Sequence, residues 1–336
     1  MKDPVPAAPA NAIGFKIINS TGEDIPVYAN LPEAYSEYRL PGTTAYNAAH
    51  AGNVYLFQHI HQPHFDIWDS NYLTKTACEV YSIVTRPIIE LQFLLQSEIL
   101  YKIDGLQWES LKETQYNLLA SPPTTTDRVR FTQNNKHTFD IHLQSAFLKK
   151  LANRIPQLRT FVQQVVAGQQ AQFFDTPQFA APKTLYLITK LITEIREQRG
   201  IQPQHGALVE AIITSALTNP YSNKPYRILY HEIEYIYQAE RIASENLDEP
   251  ARLPTSINEA YVHPSKFRFL FKSIFHLLPN AYLTKKRMEE AQKLLKTFPD
   301  LSIQTVALRV GYDNPSRFSA VYKKYYGRTP SMERKI

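Results

Sequence analysis

The sequence is poor in the residue types that several common kinds of functional site require. Its single cysteine among 336 residues, Cys78, excludes an internal disulfide framework and a zinc site built from cysteines. We expect this cysteine to be buried among its apolar neighbours. The 10 glycines form no glycine-rich phosphate loop, and no nucleophile-elbow motif is present. We therefore expect the chain not to be an enzyme.

Long apolar runs are missing as well. No stretch reaches the ~18 apolar residues needed to span a bilayer, and the N-terminal MKDPVPAAPANA lacks the apolar core of a signal peptide. We interpret residues 1–12 as a disordered leader and expect a cytoplasmic protein without a membrane partner. The length fits two domains.

Charge is distributed unevenly along the chain. Residues 251–336 contain 16 Lys and Arg against 6 Asp and Glu, a net charge of +10, whereas residues 1–250 contain 21 against 25, a net charge of −4. The overall charge of +6 hides this difference. A basic C-terminal segment points to a polyanionic partner for that segment.

Two kinds of periodicity divide the remaining sequence. Residues 13–150 contain many short segments rich in β-branched and aromatic residues, which predict an antiparallel β-barrel or jelly roll. Residues 151–225 have the 3.6-residue period of helices. In the helix predicted over 183–199, an apolar stripe is formed by Leu185, Ile188, Ile192 and Ile195, and it is widened by Leu187 and Leu191. This stripe could pack on the barrel, on a neighbouring helix or on a second subunit.

The last 36 residues predict a helix-turn-helix. Ser302 can cap a short helix, Gly311 breaks it, and Asp313 or Asn314 caps the next helix, which Gly327 ends. Two short helices joined by a turn that contains glycine are typical of this motif.

The second helix of the motif has an apolar face and a polar face. Phe318, Val321, Tyr322 and Tyr325 recur at i, i+3, i+4 and i+7, which predicts one buried stripe. The other positions are small, polar or cationic, as a helix in a DNA major groove requires. The residues predicted to contact DNA are Asn314, Ser316, Arg317, Ser319, Ala320, Lys323 and Lys324.

A second candidate helix-turn-helix precedes this one. Thr255 or Ser256 can cap its first helix, and His263-Pro264 opens its second helix, which runs to about Phe275. A long helix capped by Asn280 then connects the two motifs. The residues of the earlier motif predicted to contact DNA are Ser265, Lys266, Arg268, Phe269 and Lys272.

Several segments of this region carry a resemblance to a known family. They are FLFK from Phe269, RMEEAQKLL from Arg287, and SIQTVALRVGYDNPSRFSAVYKKYYGRTPSMER from Ser302. Residues from about 232 to the end resemble the DNA-binding domain of the AraC/XylS family of bacterial transcription regulators. The resemblance implies a cupin-like N-terminal sensor for a small-molecule effector, double-stranded DNA as partner, a homodimer, and RNA polymerase as a candidate partner.

The resemblance is uneven along the chain. FDIWDSNY from Phe65 and IELQFLL from Ile89 are similar to the branch that includes the pyochelin regulator, and they imply no particular ligand. The first motif departs from the family: Ser256-Ile257 replaces a Leu-Ala pair, His276 replaces a glycine, and Phe269 stands where relatives are often polar. These departures predict weaker DNA binding by that motif, or a contact between Phe269 and a thymine methyl group.

A histidine cluster is the candidate metal site of the sequence. His59, His61 and His64 are spaced HxHxxH, and His59 and His61 would share one face of a strand, as ligation requires. His142 is the only obvious further ligand. We predict that no metal or other cofactor is bound and that the histidines have a structural or an effector-contacting role. The candidate effector contacts are His59, His61 and Trp68. The alternative is a metal-dependent cupin enzyme fused to a DNA-binding domain.

The predicted fold is therefore α+β. A cupin-like antiparallel β-barrel sensor occupies residues 13–150, a helical linker or dimerisation segment occupies 151–225, and an all-α DNA-binding domain with two helix-turn-helix motifs occupies 226–336. The predicted function is sequence-specific transcription regulation under the control of an effector bound in the N-terminal domain.

Overall fold

The chain folds into two compact units, Met1–Tyr230 and His231–Ile336. The structure, a computed structural model, describes residues 13–104, 107–222, 226–249 and 262–334. The leader predicted over 1–12 and the first helix of the earlier motif, with its predicted cap at Thr255 or Ser256, lie outside the described residues. No described helix is both long enough and apolar enough to cross a bilayer.

Antiparallel strands form two sheets in the first unit. They are β1 (Phe15–Asn19), β2 (Val27–Tyr28), β3 (Thr44–His50), β4 (Asn53–His61), β5 (Phe65–Leu73), β6 (Cys78–Val84), β7 (Ile88–Gln96), β8 (Glu98–Ile103), β9 (Glu109–Lys112), β10 (Gln115–Ser121), β11 (Thr126–Phe131), β12 (Lys136–Leu143), β13 (Ala171–Gln172) and β14 (Gln178–Phe179). The smaller sheet has the order β1-β6-β11-β8-β9. The larger has the order β13-β10-β7-β12-β5-β4-β3-β2, and β14 also pairs with β10.

The two sheets face each other across a shared hydrophobic core. Ile17 of β1, Phe57 of β4, Leu94 of β7 and Tyr101 of β8 are buried in one cluster. The α+β class is confirmed, but the closed barrel is wrong, because no ladder joins the two sheets among the described strands. The larger sheet ends on β2 and β13, which have only two residues each and offer few free backbone groups for further pairing. The likeness to a cupin stays a prediction.

Alternation along the strands gives the larger sheet two different faces. In β7, Ile89, Leu91 and Phe93 are buried on one face. Glu90 and Gln92, at the intervening positions, line a cavity between the sheets. Period-2 alternation in a strand sends successive side chains to opposite faces, so β7 carries a hydrophobic core on one side and part of a polar site on the other.

The α-helices described in the first unit come after β12, and β13 and β14 lie between the second and the third of them. They are α1 (Ser145–Arg154), α2 (Arg159–Val166), α3 (Pro182–Glu197) and α4 (His205–Thr218). The apolar stripe of α3 is buried within the chain, and Leu185, Ile188, Leu191 and Ile195 are all 0% exposed. Contacts between α3 and α4 account for part of this burial. The apolar stripe of α3 therefore packs within the chain rather than remaining exposed for a second subunit. The homodimer stays a prediction.

The second unit is helical. Its helices are α5 (Tyr230–Glu245), α6 (Pro264–Phe275), α7 (Pro279–Thr297), α8 (Ile303–Arg309), α9 (Pro315–Tyr326) and α10 (Pro330–Glu333). The predicted caps at Ser302 and Asn314 and the left-handed Gly327 that ends α9 are confirmed. The predicted cap at Asn280 is wrong, because α7 begins one residue earlier at Pro279, which needs no N–H partner there.

The C-terminal end of α6 holds a residue in a strained backbone conformation. His276 has φ of 59° and ψ of 11°, a left-handed conformation that an L side chain adopts at a cost. We expect His276→Gly to raise the free energy of unfolding by about 0.5–1 kcal/mol, because relief of strain exceeds the added chain entropy. Urea denaturation measures the change. His276→Ala, which keeps a Cβ, is the control, and equal stabilisation by both variants would contradict the explanation.

Candidate functional site

Helix α9 presents a polar face that points away from the core beneath it. The Oδ1 atom of Asn314 accepts the backbone N–H groups of Ser316 at 2.8 Å and Arg317 at 3.1 Å, which fixes the first turn. Phe318 and Tyr322 are wholly buried in a cluster with side chains of α7 and α8. This packing sets which face of α9 is turned to solvent.

The α9 residues predicted to contact DNA lie mainly on that outward face. One prediction about the buried stripe is wrong: Tyr325 is 44% exposed, whereas the Tyr326 ring packs on Tyr322 with centroids 4.8 Å apart. Tyr326 follows Tyr322 by one helical turn and therefore continues the stripe. Ser319 is half-buried, and the exposed members of the predicted set are Asn314, Ser316, Arg317, Ala320, Lys323 and Lys324.

Helix α6 presents a more mixed surface. Ser265, Arg268 and Lys272 are exposed, and Phe269 is half-buried. Lys266 has a different environment, because its Nζ atom lies 2.6 Å from Oε1 of Glu232, and both side chains are largely buried. This ion pair joins α6 to α5. We therefore assign Lys266 a structural role rather than the DNA contact that the sequence predicted.

Arg287 on α7 is a residue whose importance the sequence did not reveal. It donates from Nε to the carbonyl of Leu247 at 3.1 Å and from Nη2 to the carbonyl of Glu249 at 2.8 Å. Its guanidinium also lies over the Tyr312 ring, 5.6 Å from the centroid. Gly311 has φ of 75°, and a Cβ there would collide with the Leu247 carbonyl and the Arg287 guanidinium. Arg287 thus ties the end of the α5 segment to the turn before α9.

A cavity lies between the two sheets of the first unit, with a volume of about 150 Å³. Aromatic and aliphatic side chains form most of its wall. Glu90 of β7, Asp127 of β11, and Thr138, Asp140 and His142 of β12 add polar groups. No pattern in the sequence marks these three carboxylates, because each stands as an isolated acidic residue within an otherwise ordinary strand.

The structure separates the three residues predicted to contact an effector. Trp68 lines the cavity. His59 stacks on the Trp68 ring, with centroids 4.3 Å apart, and is not among the described lining residues. The side chain of His61 is 70% exposed and pairs with Asp66, its Nδ1 atom lying 2.7 Å from Oδ1. Of the three, Trp68 alone touches the cavity.

Burial changes the ionisation of the polar groups in the cavity. It raises the pKa of Glu90 to about 7, with a further contribution from the charge of Asp127, and it raises the pKa of Asp127 to about 7. The pKa of Asp140 also lies well above its ordinary value, because of burial and the nearby Glu90. Burial lowers the pKa of His142 to about 3, so its imidazole is neutral near pH 7.

One group of potential metal ligands is present at the end of the β4–β5 hairpin. Ligand atoms of His59, His61 and Asp66 all lie within 4.8 Å of one another. His64, the third histidine of the HxHxxH pattern, instead stacks on Phe147 with centroids 5.7 Å apart. Two histidines and one carboxylate can hold a catalytic metal that keeps open positions, so the metal-dependent alternative has a defined site to test.

We expect the purified chain to contain much less than one metal ion per molecule. The hydrogen bond between His61 and Asp66 already satisfies two of the ligand atoms, and the Trp68 ring fixes the orientation of His59. Elemental analysis of the protein after dialysis measures the content. A content near one iron, manganese or zinc per chain that is lost in His59→Ala would establish the metal-dependent alternative.

Comparison with known proteins gives matches to the C-terminal region. Residues 257–336 match a family described as a helix-turn-helix domain. The HTH-type transcriptional regulator AlkR of Acinetobacter baylyi is 36% identical over 87 residues, which is 26% of this chain and 28% of AlkR. The melibiose operon regulatory protein of Escherichia coli K12 is 25% identical over 127 residues, 38% of this chain and 41% of that protein. The chain thus matches less than half the length of each relative.

The structure of ToxT from Vibrio cholerae O395 aligns with a larger share of the chain. The alignment covers 82% of this chain and 98% of ToxT, with 12% identity and a TM-score of 0.30. That score is too low to extend the relationship to the first unit. The family match and the sequence identity with these regulators show that the C-terminal region of this chain is similar to the helix-turn-helix domains of transcription regulators, which agrees with the resemblance to the AraC/XylS family.

Proposed function

We propose that the chain is a cytoplasmic regulator in which α6 and α9 enter successive segments of the DNA major groove. The observation that carries this proposal is the outward face of α9, where Arg317, Lys323 and Lys324 surround the small side chains of Ser316 and Ala320. Cations neutralise phosphates, and small residues let a helix approach the edges of bases. A homodimer and a contact with RNA polymerase are further proposals, which rest on the family alone.

The two helices have unequal roles in this proposal. Arg317 lies at the start of α9, where side chains of a recognition helix reach base edges. On α6, Lys266 is engaged by Glu232, which leaves Arg268 and Lys272 as the exposed cations. We therefore assign most of the sequence discrimination to α9, and phosphate contacts to α6.

The proposed regulation starts from the cavity of the first unit. Its mostly apolar wall with a few convergent polar groups is typical of a small-molecule site. A bound effector changes DNA binding only if it favours one arrangement of the units or of two subunits over another. The position of Trp68 in the cavity wall supports its predicted contact with the effector. For His59 and His61 the contact is predicted from the sequence alone.

Affinity for DNA is expected to fall steeply with salt. Sequencing of genomic fragments retained by the purified full chain identifies an operator, whose affinity is then measured between about 50 and 200 mM salt. About four or five phosphate contacts, as many as α6 and α9 have exposed cations, predict a loss on the order of 10²–10³-fold over this range, because each contact releases counterions. Retention of fragments without any shared sequence, or an affinity unchanged by salt, would overturn the proposal.

Two lysine variants test whether Lys323 contributes one of these phosphate contacts. Lys323→Ala on α9 is expected to reduce the slope of log affinity against log salt by about 1. Lys149→Ala removes another exposed lysine, from α1 of the other unit, and its slope is expected to equal that of the parent. Equal slopes for all three proteins would remove Lys323 from the interface.

A further inference from the structure

Three acidic side chains converge on the cavity between the two sheets. Glu90, Asp127 and Asp140 come from three different strands and all line it. Facing sheets of a sandwich normally bury apolar side chains, so three carboxyl groups at this place call for a reason other than packing. The described lining residues include no lysine and no arginine.

The protein satisfies these carboxyl groups only in part. Asp140 is 5% exposed, and its Oδ2 atom accepts a hydrogen bond of 2.9 Å from Thr138. Within the described part of the chain, its Oδ1 atom has no hydrogen-bond partner. Glu90 accepts from Gln92 at 3.0 Å, while its other oxygen lies 3.9 Å from Nε2 of His142, beyond hydrogen-bond distance. A buried acceptor without a donor is costly, so the geometry favours a donor from outside the chain.

The charge of the cavity points to the kind of donor. His142 carries no positive charge near pH 7, because burial lowers its pKa to about 3. Burial raises the pKa of both Glu90 and Asp140, and so do neighbouring charges, that of Asp127 acting on Glu90 and that of Glu90 acting on Asp140. A cation placed between these two carboxyl groups would stabilise their charged forms against burial and against the repulsion from neighbouring carboxylates. Its N–H groups could also donate to Oδ1 of Asp140.

The cavity wall suits the apolar part of such a ligand. The rings of Phe15, Phe57, Trp68 and Tyr72 line the same space, and aromatic faces attract organic cations as well as apolar groups. The volume of about 150 Å³ is the size that accommodates a benzene-like group. The lining therefore combines an acidic end with an aromatic chamber for one small ring or a short alkyl chain.

We propose that this cavity binds a small organic cation, an ammonium group on a compact apolar body, with the ammonium held by Glu90 and Asp140. This inference rests on the proposed role of the cavity as the effector site and adds the chemical class of the effector. The ammonium donates to Oδ1 of Asp140 and to the carboxyl group of Glu90, and the apolar body packs against the aromatic rings.

Three probes of similar shape and different charge test the inference on the full chain. Isothermal titration calorimetry compares 2-phenylethylamine, which is a cation at pH 7, with 2-phenylethanol and with 3-phenylpropionate. We expect the amine to bind at least about tenfold more tightly than the alcohol, and the carboxylate not to bind. Equal binding of amine and alcohol, or preferred binding of the carboxylate, would overturn the assignment of a cation.

Isosteric variants then locate the ammonium. Asp140→Asn and Glu90→Gln are each expected to weaken amine binding about tenfold or more, while binding of the alcohol changes little. Glu33→Gln, at an exposed position outside the cavity, is the control and should bind the amine as the parent does. Thermal unfolding of each variant shows whether the fold is retained. Undiminished amine binding by a folded Asp140→Asn variant would contradict the proposal.

The outcomes separate this inference from the proposed function. Binding of the alcohol or the carboxylate in preference to the amine would leave an effector cavity in place and remove only the cationic class. Operator binding is measured on the same preparations without any probe. Failure to bind the operator would count against the proposed DNA-binding function, regardless of which small-molecule probes bind.

Discussion

Replacing Arg317 with alanine is expected to lower affinity for the operator by about 10–100-fold, with little change in affinity for random duplex DNA. A bidentate contact between arginine and guanine discriminates against other bases by about 1–3 kcal/mol. The side chain is exposed, so its loss should leave the thermal unfolding of the protein unchanged. Titration of operator and random duplex at one salt concentration measures both affinities.

Two further variants, Lys323→Ala and Arg268→Ala, are compared with Arg317→Ala on the same two DNA duplexes. Lys323→Ala is expected to weaken binding to operator and random duplex by the same factor, because a phosphate contact carries no sequence information. Arg268→Ala on α6 is expected to affect discrimination less than Arg317→Ala. The reverse order, with discrimination lost in Arg268→Ala and kept in Arg317→Ala, would show that α6 and not α9 reads the operator.

Introducing a carboxylate in the middle of α3 is expected to have the largest effect on stability. Leu191 is 0% exposed, so Leu191→Asp removes apolar packing and places an unpaired acidic group in the core. We expect a loss of more than about 4 kcal/mol in the free energy of unfolding, enough to unfold much of the first unit. Circular dichroism and denaturation of the full chain measure the effect.

Leu187 on the same helix provides the matched control. It belongs to the wider apolar stripe but is only half-buried, so Leu187→Asp should cost much less stability. It is also the better position for testing the predicted homodimer by sedimentation. Weaker self-association with an intact fold would place α3 at the interface, and a native-like Leu191→Asp variant would contradict the packing described for this helix.

Local signals in the sequence predicted the second helix-turn-helix well. The caps at Ser302 and Asn314 and the turn at Gly327 depend on hydrogen bonds or backbone conformation within a few residues. Such interactions are contained in short stretches of sequence. The exposed cations of α9 followed from the same reasoning, because a helical period fixes which side chains share a face.

Features that depend on distant residues could not be predicted in this way. The ion pair between Lys266 and Glu232 joins positions 34 apart, and Arg287 reaches the carbonyl of Leu247, 40 positions away. The open arrangement of two sheets depends likewise on which strand edges remain unpaired. The acidic end of the cavity arises because Glu90 and Asp140 meet only when β7 pairs with β12.

The exposed face of α9 also bears on how this protein can diverge during evolution. Ser316 and Ala320 are exposed there, while Phe318 and Tyr322 on the opposite side supply the packing. Under the proposed function, mutations at these exposed positions are expected to change the preferred DNA sequence without compensating changes in the hydrophobic core. Gene duplicates that carry this domain would then be expected to change their target genes by substitutions at exposed positions of α9, such as Ala320.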